Sequence, residues 1–369
     1  MHPLYIILLI HFNRIFPTKQ HIYFNLEKFN GLLQKFGVKY KKVVIFMKKS
    51  AKKAIKTAVG IGAAAASAYL LVGNAFYYLT LTRKGINSSI ANKYMTSNTG
   101  TDERTIHLNG ELDQGKIWFD RADKEKLVIR STHKKKNLHA DYLLPKMDSD
   151  VFVVLIHGYG AAPRNMGVYA KHYHELGYNV FAPSMNGHAD SETQRITMGW
   201  EDRLDIIDWI NYIVEEYPES KIIIHGVSMG SATTMMALGE ELSKNVTVAI
   251  ADCGFTSIWE IFDQKISKMV NIPGNPILRS ANNVNKVISG FDFKKASAIE
   301  QLKKATVPTL FIHGEEDTFV PFDMLQKLYD AAACEKDMVT IPEAPHARNS
   351  IVNPELYWTS VDNFIKKYI

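Results

Sequence analysis

Two cysteines, Cys253 and Cys334, are the only thiols in 369 residues. They are too few for a disulfide framework, and neither sits at a metal-ligand spacing. One bridge between them stays open, against two buried free thiols. There is no zinc signature, no Walker loop and no G-x-G-x-x-G after a strand, so no metal or cofactor is expected. Acidic residues are scarce at one end only: residues 1–56 carry twelve Lys/Arg against the single Glu27. That segment accounts for the formal charge of +6, since the rest of the chain holds 32 of the 44 basic and 37 of the 38 acidic residues. A mildly acidic body offers no electrostatic footprint for nucleic acid. Charge is absent altogether from Thr57 to Leu81, a run of ~25 residues that suffices to cross ~30 Å of hydrocarbon as a helix.

Around that run the N-terminal region reads as a targeting segment. Met47 opens Met-Lys-Lys-Ser-Ala-Lys-Lys-Ala-Ile-Lys, a positively charged n-region, and we expect translation to start there, with 1–46 an upstream extension. Five lysines precede the uncharged run and only Arg83 and Lys84 follow it. The positive-inside rule then leaves the N-terminus in the cytoplasm and everything after the span outside it. Tyr69, Tyr77 and Tyr78 suit a membrane interface. Ala66-Ser67-Ala68 resembles a signal-peptidase site, so release by cleavage is the alternative to a retained single-pass anchor in the cell membrane. Residues 85–110, rich in Ser, Asn and Thr, read as a linker.

The body has a globular composition, 46% hydrophobic and 22% charged. Short strands are expected at Lys116–Phe119, Lys126–Ser131 and Leu138–Leu144, with the lysines at 134–136 in a solvated turn. A periodic pattern follows: strand Val151–Ile156, helix Arg164–Leu176, strand Tyr178–Ala182, helix Glu201–Glu216, strand from Lys221, helix Ser231–Leu242 and strand Val246–Ala251. It resumes with strand Thr309–Ile312, helix Phe322–Ala333, strand Met338–Ile341 and helix Pro354–Tyr368. Uninterrupted apolar strands between helices imply a mostly parallel sheet covered on both faces, an α/β fold. The long interval of about 254–305 is helical in pattern and reads as a cap inserted between strands, covering the substrate.

The chemistry centres on Gly226-Val227-Ser228-Met229-Gly230, a G-x-S-x-G at a strand-to-helix turn. Such a turn strains the serine backbone and holds its hydroxyl above the sheet edge, at a helix N-terminus that favours developing negative charge. A serine hydroxyl needs a base oriented by a carboxylate. Asp317 falls on the loop after strand Thr309–Ile312, and His346 on the loop after Met338–Ile341. Parallel strands bring these C-terminal ends to one edge. Asp252, at the end of the strand before the cap, is an alternative acid. His157, His225 and His313 close apolar strands, where a hydrogen-bonded structural role is the ordinary one.

From about Lys126 to its end the chain resembles the α/β-hydrolase superfamily, in its serine-nucleophile branch of esterases, acyl hydrolases and some peptidases. His157-Gly158-Tyr159-Gly160 is similar to that family's oxyanion loop, Gly226–Gly230 to its nucleophile elbow, and Asp317 and His346 to its acid and histidine. The resemblance implies Ser228 as nucleophile, His346 as general base and then acid, and Asp317 as orienting carboxylate. It also implies an oxyanion hole from the backbone N–H groups of Tyr159 and Met229. Asn186-Gly187-His188-Ala189-Asp190-Ser191 departs from the family's small-residue loop at Asn186 and Ala189, and no catalytic role is assigned to it. The expectation is a membrane-anchored serine hydrolase of small acyl esters, with its catalytic domain at 111–369. The alternatives are a peptidase or acyltransferase of the same fold, or a catalytically silent binding module.

Overall fold

A computed structural model describes residues 57, 64, 66–88, 102–145, 147–270 and 275–369. The chain divides into two units, Met1–Ala68 and Tyr69–Ile369, and the second carries the sheet. The expected start at Met47, the extension 1–46 and the lysines before the uncharged run lie outside the described residues. So does most of 57–65. Among the described residues no helix is long and apolar enough to cross a membrane.

Eight strands run in the order β1-β2-β4-β3-β5-β6-β7-β8: β1 Lys124–Arg130, β2 Asn137–Leu143, β3 Val151–Ile156, β4 Asn179–Pro183, β5 Lys221–Val227, β6 Val246–Asp252, β7 Thr309–Gly314 and β8 Lys336–Ile341. The β1–β2 and β2–β4 pairs are antiparallel, and every later pair is parallel. Period-two alternation, with both sheet faces covered, explains why the central strand β3 is apolar throughout. In β3, Phe152, Val154 and Ile156 enter the core on one face with Trp209, Phe181 and Met235. Val151, Val153 and Leu155 enter the other with Tyr173, Tyr357 and Phe364. Helices Asp202–Glu216 and Met229–Ala237 help cover the first face, Gly167–Glu175 and Pro354–Ile365 the second. The interval after β6 folds as helices Ile258–Val270, Asn275–Ile288 and Ala298–Leu302. Cys253 and Cys334 are both buried and unbridged.

Three expectations need correction. Residues 116–119 are not a strand: they end the helix Glu103–Arg121, which also takes in the last part of the expected linker. Its apolar stripe is thin, only Leu108, Gly115 and Phe119 being buried. Gly115 is there because this helix crosses Gly167 at backbone contact; a Cβ on Gly167 would meet the Gly115 carbonyl at 2.0 Å. Next, the end of the uncharged run lies within the folded unit, with Phe76, Tyr77 and Leu81 buried in the core. The one-turn helix Arg83–Ile86 follows it and buries Gly85 and Ile86. Finally, the turn lysines are not all solvated. Lys136 is buried, its ammonium 2.6 Å from both Asp205 Oδ2 and Asn186 Oδ1.

Candidate active site

β5 delivers Ser228, β7 delivers Asp317 and β8 delivers His346, all at the C-terminal edge of the parallel sheet. Ser228 has φ 59° and ψ −117°, a conformation L-residues avoid unless the surroundings impose it. Two glycines make the imposition possible. A Cβ on Gly230 would sit 1.9 Å from the Ile156 carbonyl oxygen, and one on Gly226 would sit 2.2 Å from that of Gly230. The Ser228 amide donates to the Asp252 carbonyl at 2.8 Å, fastening the turn to β6.

Ser228 Oγ lies 2.8 Å from His346 Nε2, and His346 Nδ1 lies 2.6 Å from Asp317 Oδ2. The other carboxylate oxygen accepts the amides of Phe319 and Val320 at 2.9 and 2.8 Å. Burial by itself would raise the Asp317 carboxyl. The neighbouring His346 and hydrogen bonds from His313 and His346 outweigh it and hold the group well below the usual carboxylate range. An ionised Asp317 keeps the proton of His346 on Nδ1 and leaves Nε2 able to accept from the serine. Asp252, the alternative acid, is engaged elsewhere: Asn349 Nδ2 donates to it at 2.6 Å and the Tyr357 hydroxyl at 2.9 Å. Its burial raises its carboxyl instead.

The loop after β3 faces the elbow, and Gly158 packs on the Ser228 side chain; a Cβ there would be 3.4 Å from Ser228 Cβ. The Met229 amide is the first of its helix, and so belongs to the turn whose N–H groups have no intrahelical acceptor. Two neutral imidazoles shape this loop. His157 Nε2 accepts the Met185 amide at 3.2 Å, and burial lowers its pKa to about 4. His188 Nε2 accepts the Gly160 amide at 2.9 Å; burial, then His157, lowers it to about 3. The Tyr159 hydroxyl donates to the Thr80 carbonyl at 2.7 Å. Arg83 reaches the carbonyls of Gly187, His188, Ser191 and Thr193, at 2.6 Å for Ser191. Sequence reasoning missed Thr80, Arg83 and His188 as supports. Arg83 was visible as a charge ending an apolar run, but the carbonyls it binds are set by a distant loop.

A cavity of about 240 Å³ opens over Ser228 and His346, walled also by Tyr159, Asn165, Phe319 and Arg348. A smaller recess on the other side of Ser228 is lined by Phe255, Ile261, Phe262 and Lys265. Three of these come from helix Ile258–Val270, so the inserted helices do reach Ser228. Lys265 Nζ sits 3.1 Å from the centre of the Phe319 ring. Burial, with Lys268 next, lowers its pKa to about 7. Among the described residues, two groups hold metal-ligating atoms within 4.8 Å of one another, Cys253/Asp317/His346 and His133/Asp205/Asp208. In the first, Asp317 and His346 are bonded to each other; in the second, Lys136 already sets a positive charge 2.6 Å from Asp205.

Residues 148–272 match the family described as Hydrolase_4, serine aminopeptidase, S33. The uncharacterized protein YqkD of Bacillus subtilis is 24% identical over 248 residues, covering 67% of this chain and 81% of YqkD. The α/β hydrolase domain-containing protein WAV2 of Arabidopsis thaliana is 28% identical over 202 residues, 53% of this chain and 62% of WAV2. Among solved structures, the Pyrococcus furiosus esterase Pf2001 superposes with a TM-score of 0.54 at 21% identity, covering 70% of this chain and 93% of the esterase. With the strand order above, these likenesses give the chain the α/β-hydrolase fold.

Proposed function

We propose that the protein is a serine hydrolase that cleaves carboxylic esters through an acyl-enzyme. The observation that carries this reading is the continuous hydrogen-bonded path from Ser228 through His346 to an ionised Asp317 on a strained elbow. In this reading Ser228 Oγ attacks the acyl carbonyl while His346 Nε2 takes its proton. The developing oxyanion accepts hydrogen bonds from the Tyr159 and Met229 amides. His346 then protonates the leaving alcohol, and water repeats the sequence to release the acid. The Pyrococcus furiosus esterase that shares this fold supports an ester as the first substrate class. The matched family's name keeps peptidase activity as the second reading.

The test is hydrolysis of p-nitrophenyl butyrate. Ser228→Ala should lower turnover by roughly 10⁴–10⁶-fold without changing the circular dichroism spectrum. Undiminished turnover by that variant would refute the assignment. An arylamide series alongside separates ester from amide preference.

For location we propose an N-terminal anchor with the hydrolase unit on the extracytoplasmic side. The lysine block ahead of an uncharged run supports it. Because Phe76, Tyr77 and Leu81 are buried in the unit, the proposed span ends before residue 76. Recovery of native protein in the soluble fraction, with a new N-terminus near Ala68, would favour release by cleavage.

A further inference from the structure

Arg348 is the one guanidinium in the wall of the cavity over Ser228. It is 9% exposed, yet its hydrogen bonds go only to neutral oxygens. Nη2 donates to Asn109 Oδ1 at 2.7 Å and Nη1 to the Ala347 carbonyl at 3.0 Å. Nε is buried with no partner among the described residues, and no carboxylate of those residues forms an ion pair with Arg348. The cavity's other cation, Lys116, is matched by Asp113 at 2.8 Å. Among the described residues no aspartate or glutamate lines the cavity. A buried, unmatched charge is costly, and a guanidinium satisfied on one side presents a planar fork to whatever occupies the other.

We propose that Arg348 is a specificity residue for an anionic group, a carboxylate or phosphate carried by the ester substrate. The ligand then supplies an ion-pairing countercharge, as a charge-assisted hydrogen bond to the terminal N–H groups that Ala347 and Asn109 leave over. This proposal rests on the serine hydrolase reading, and it adds the chemical class of the substrate.

Two matched pairs of esters test it and separate the two places the anion could sit. Mono-p-nitrophenyl succinate against p-nitrophenyl butyrate puts the charge on the acyl side. 4-Acetoxybenzoate against methyl 4-acetoxybenzoate puts it on the leaving side. With kcat/KM normalised to the hydroxide-catalysed rate, at least one anionic member should exceed its neutral partner by about tenfold or more. Arg348→Met should bring that ratio to one or below, whatever happens to the absolute rates, and Arg348→Lys should retain part of it. Ratios at or below one in both pairs for the native protein overturn the proposal, as does an unchanged ratio in Arg348→Met. If Arg348→Met does not fold, the native ratios alone decide. Failure of the native protein to turn over any of the four esters removes the hydrolase reading, and this proposal with it.

Discussion

The parallel edge of the sheet and the flank formed by residues 69–88 both serve the same site, but they are held by different forces. At the edge, β5, β7 and β8 fix Ser228, Asp317 and His346 through the backbone ladder. Ser228 follows β5 directly, and Asp317 and His346 sit a few residues beyond β7 and β8. On the flank, single side chains reach backbone carbonyls: Arg83 on the 187–193 loop, and Tyr159 on Thr80. Ser228, Asp317 and His346 are thus placed by the sheet, while the 157–160 loop leans on contacts any one substitution can remove. Damage at the edge should fall on chemistry. Damage on the flank should be graded and shared with stability.

The sharpest break of that contrast is between the two buried acids. Asp317→Asn removes the charge that fixes the His346 tautomer, and kcat should fall by about 10⁴-fold with the fold intact. Asp252→Asn leaves the histidine's partner in place and should lower stability more than turnover. Paired ester kinetics and urea melts distinguish the two, and equal kinetic losses would place the acid wrongly. Gly230→Ala should cost roughly 3 kcal/mol or more, because its Cβ meets backbone at Ile156. A midpoint unchanged in urea would show the elbow to be looser than described.

His133 sharpens the stability side. Burial opposes its charge, but the carboxylates of Asp205 and Asp208, 3.2 and 3.4 Å from its ring nitrogens, raise its pKa to about 9 from an ordinary 6.5. A group raised in the folded state contributes fully below pH 6.5 and loses that contribution as pH climbs through 9. The loss is at most about 3 kcal/mol. His133→Asn should flatten the decline in unfolding free energy between pH 6.5 and 9, and an unaltered slope would argue that another group titrates there. On the flank, Arg83→Ala should lower both stability, by about 2 kcal/mol, and kcat/KM, since it frees the loop that bears His188. Smallest is Tyr159→Phe, which deletes one hydrogen bond to Thr80 for about 1 kcal/mol. A selective kcat effect there, with stability unmoved, would mean the flank acts on chemistry after all.

The same contrast explains what the sequence revealed. The elbow was legible because Gly226, Ser228 and Gly230 encode a steric demand that few other turns make, and strand periodicity placed Asp317 and His346 on the same edge. The choice of Asp317 over Asp252 depended on which loop bends back, which the spacing left open. The helix Glu103–Arg121 stayed hidden because its contacts are made by glycine and by a thin stripe at Leu108 and Phe119. Glycine weighs against a helix in isolation, although here it permits the backbone approach to Gly167. Residues 76–81 show the converse. Their apolarity was read as lipid-facing when Phe76, Tyr77 and Leu81 face protein, and hydropathy does not distinguish the two solvents. Arg348 carried no local pattern, because its significance is that no acid among the described residues forms an ion pair with it.

The central claim is that the Ser228 hydroxyl, activated by His346, is the nucleophile. The direct test is treatment of the native chain with a fluorophosphonate, followed by peptide mass spectrometry. A single stoichiometric adduct is expected on the peptide containing Ser228, lost in His346→Ala. Absence of any adduct, or capture at another serine with Ser228 unmodified, would contradict it.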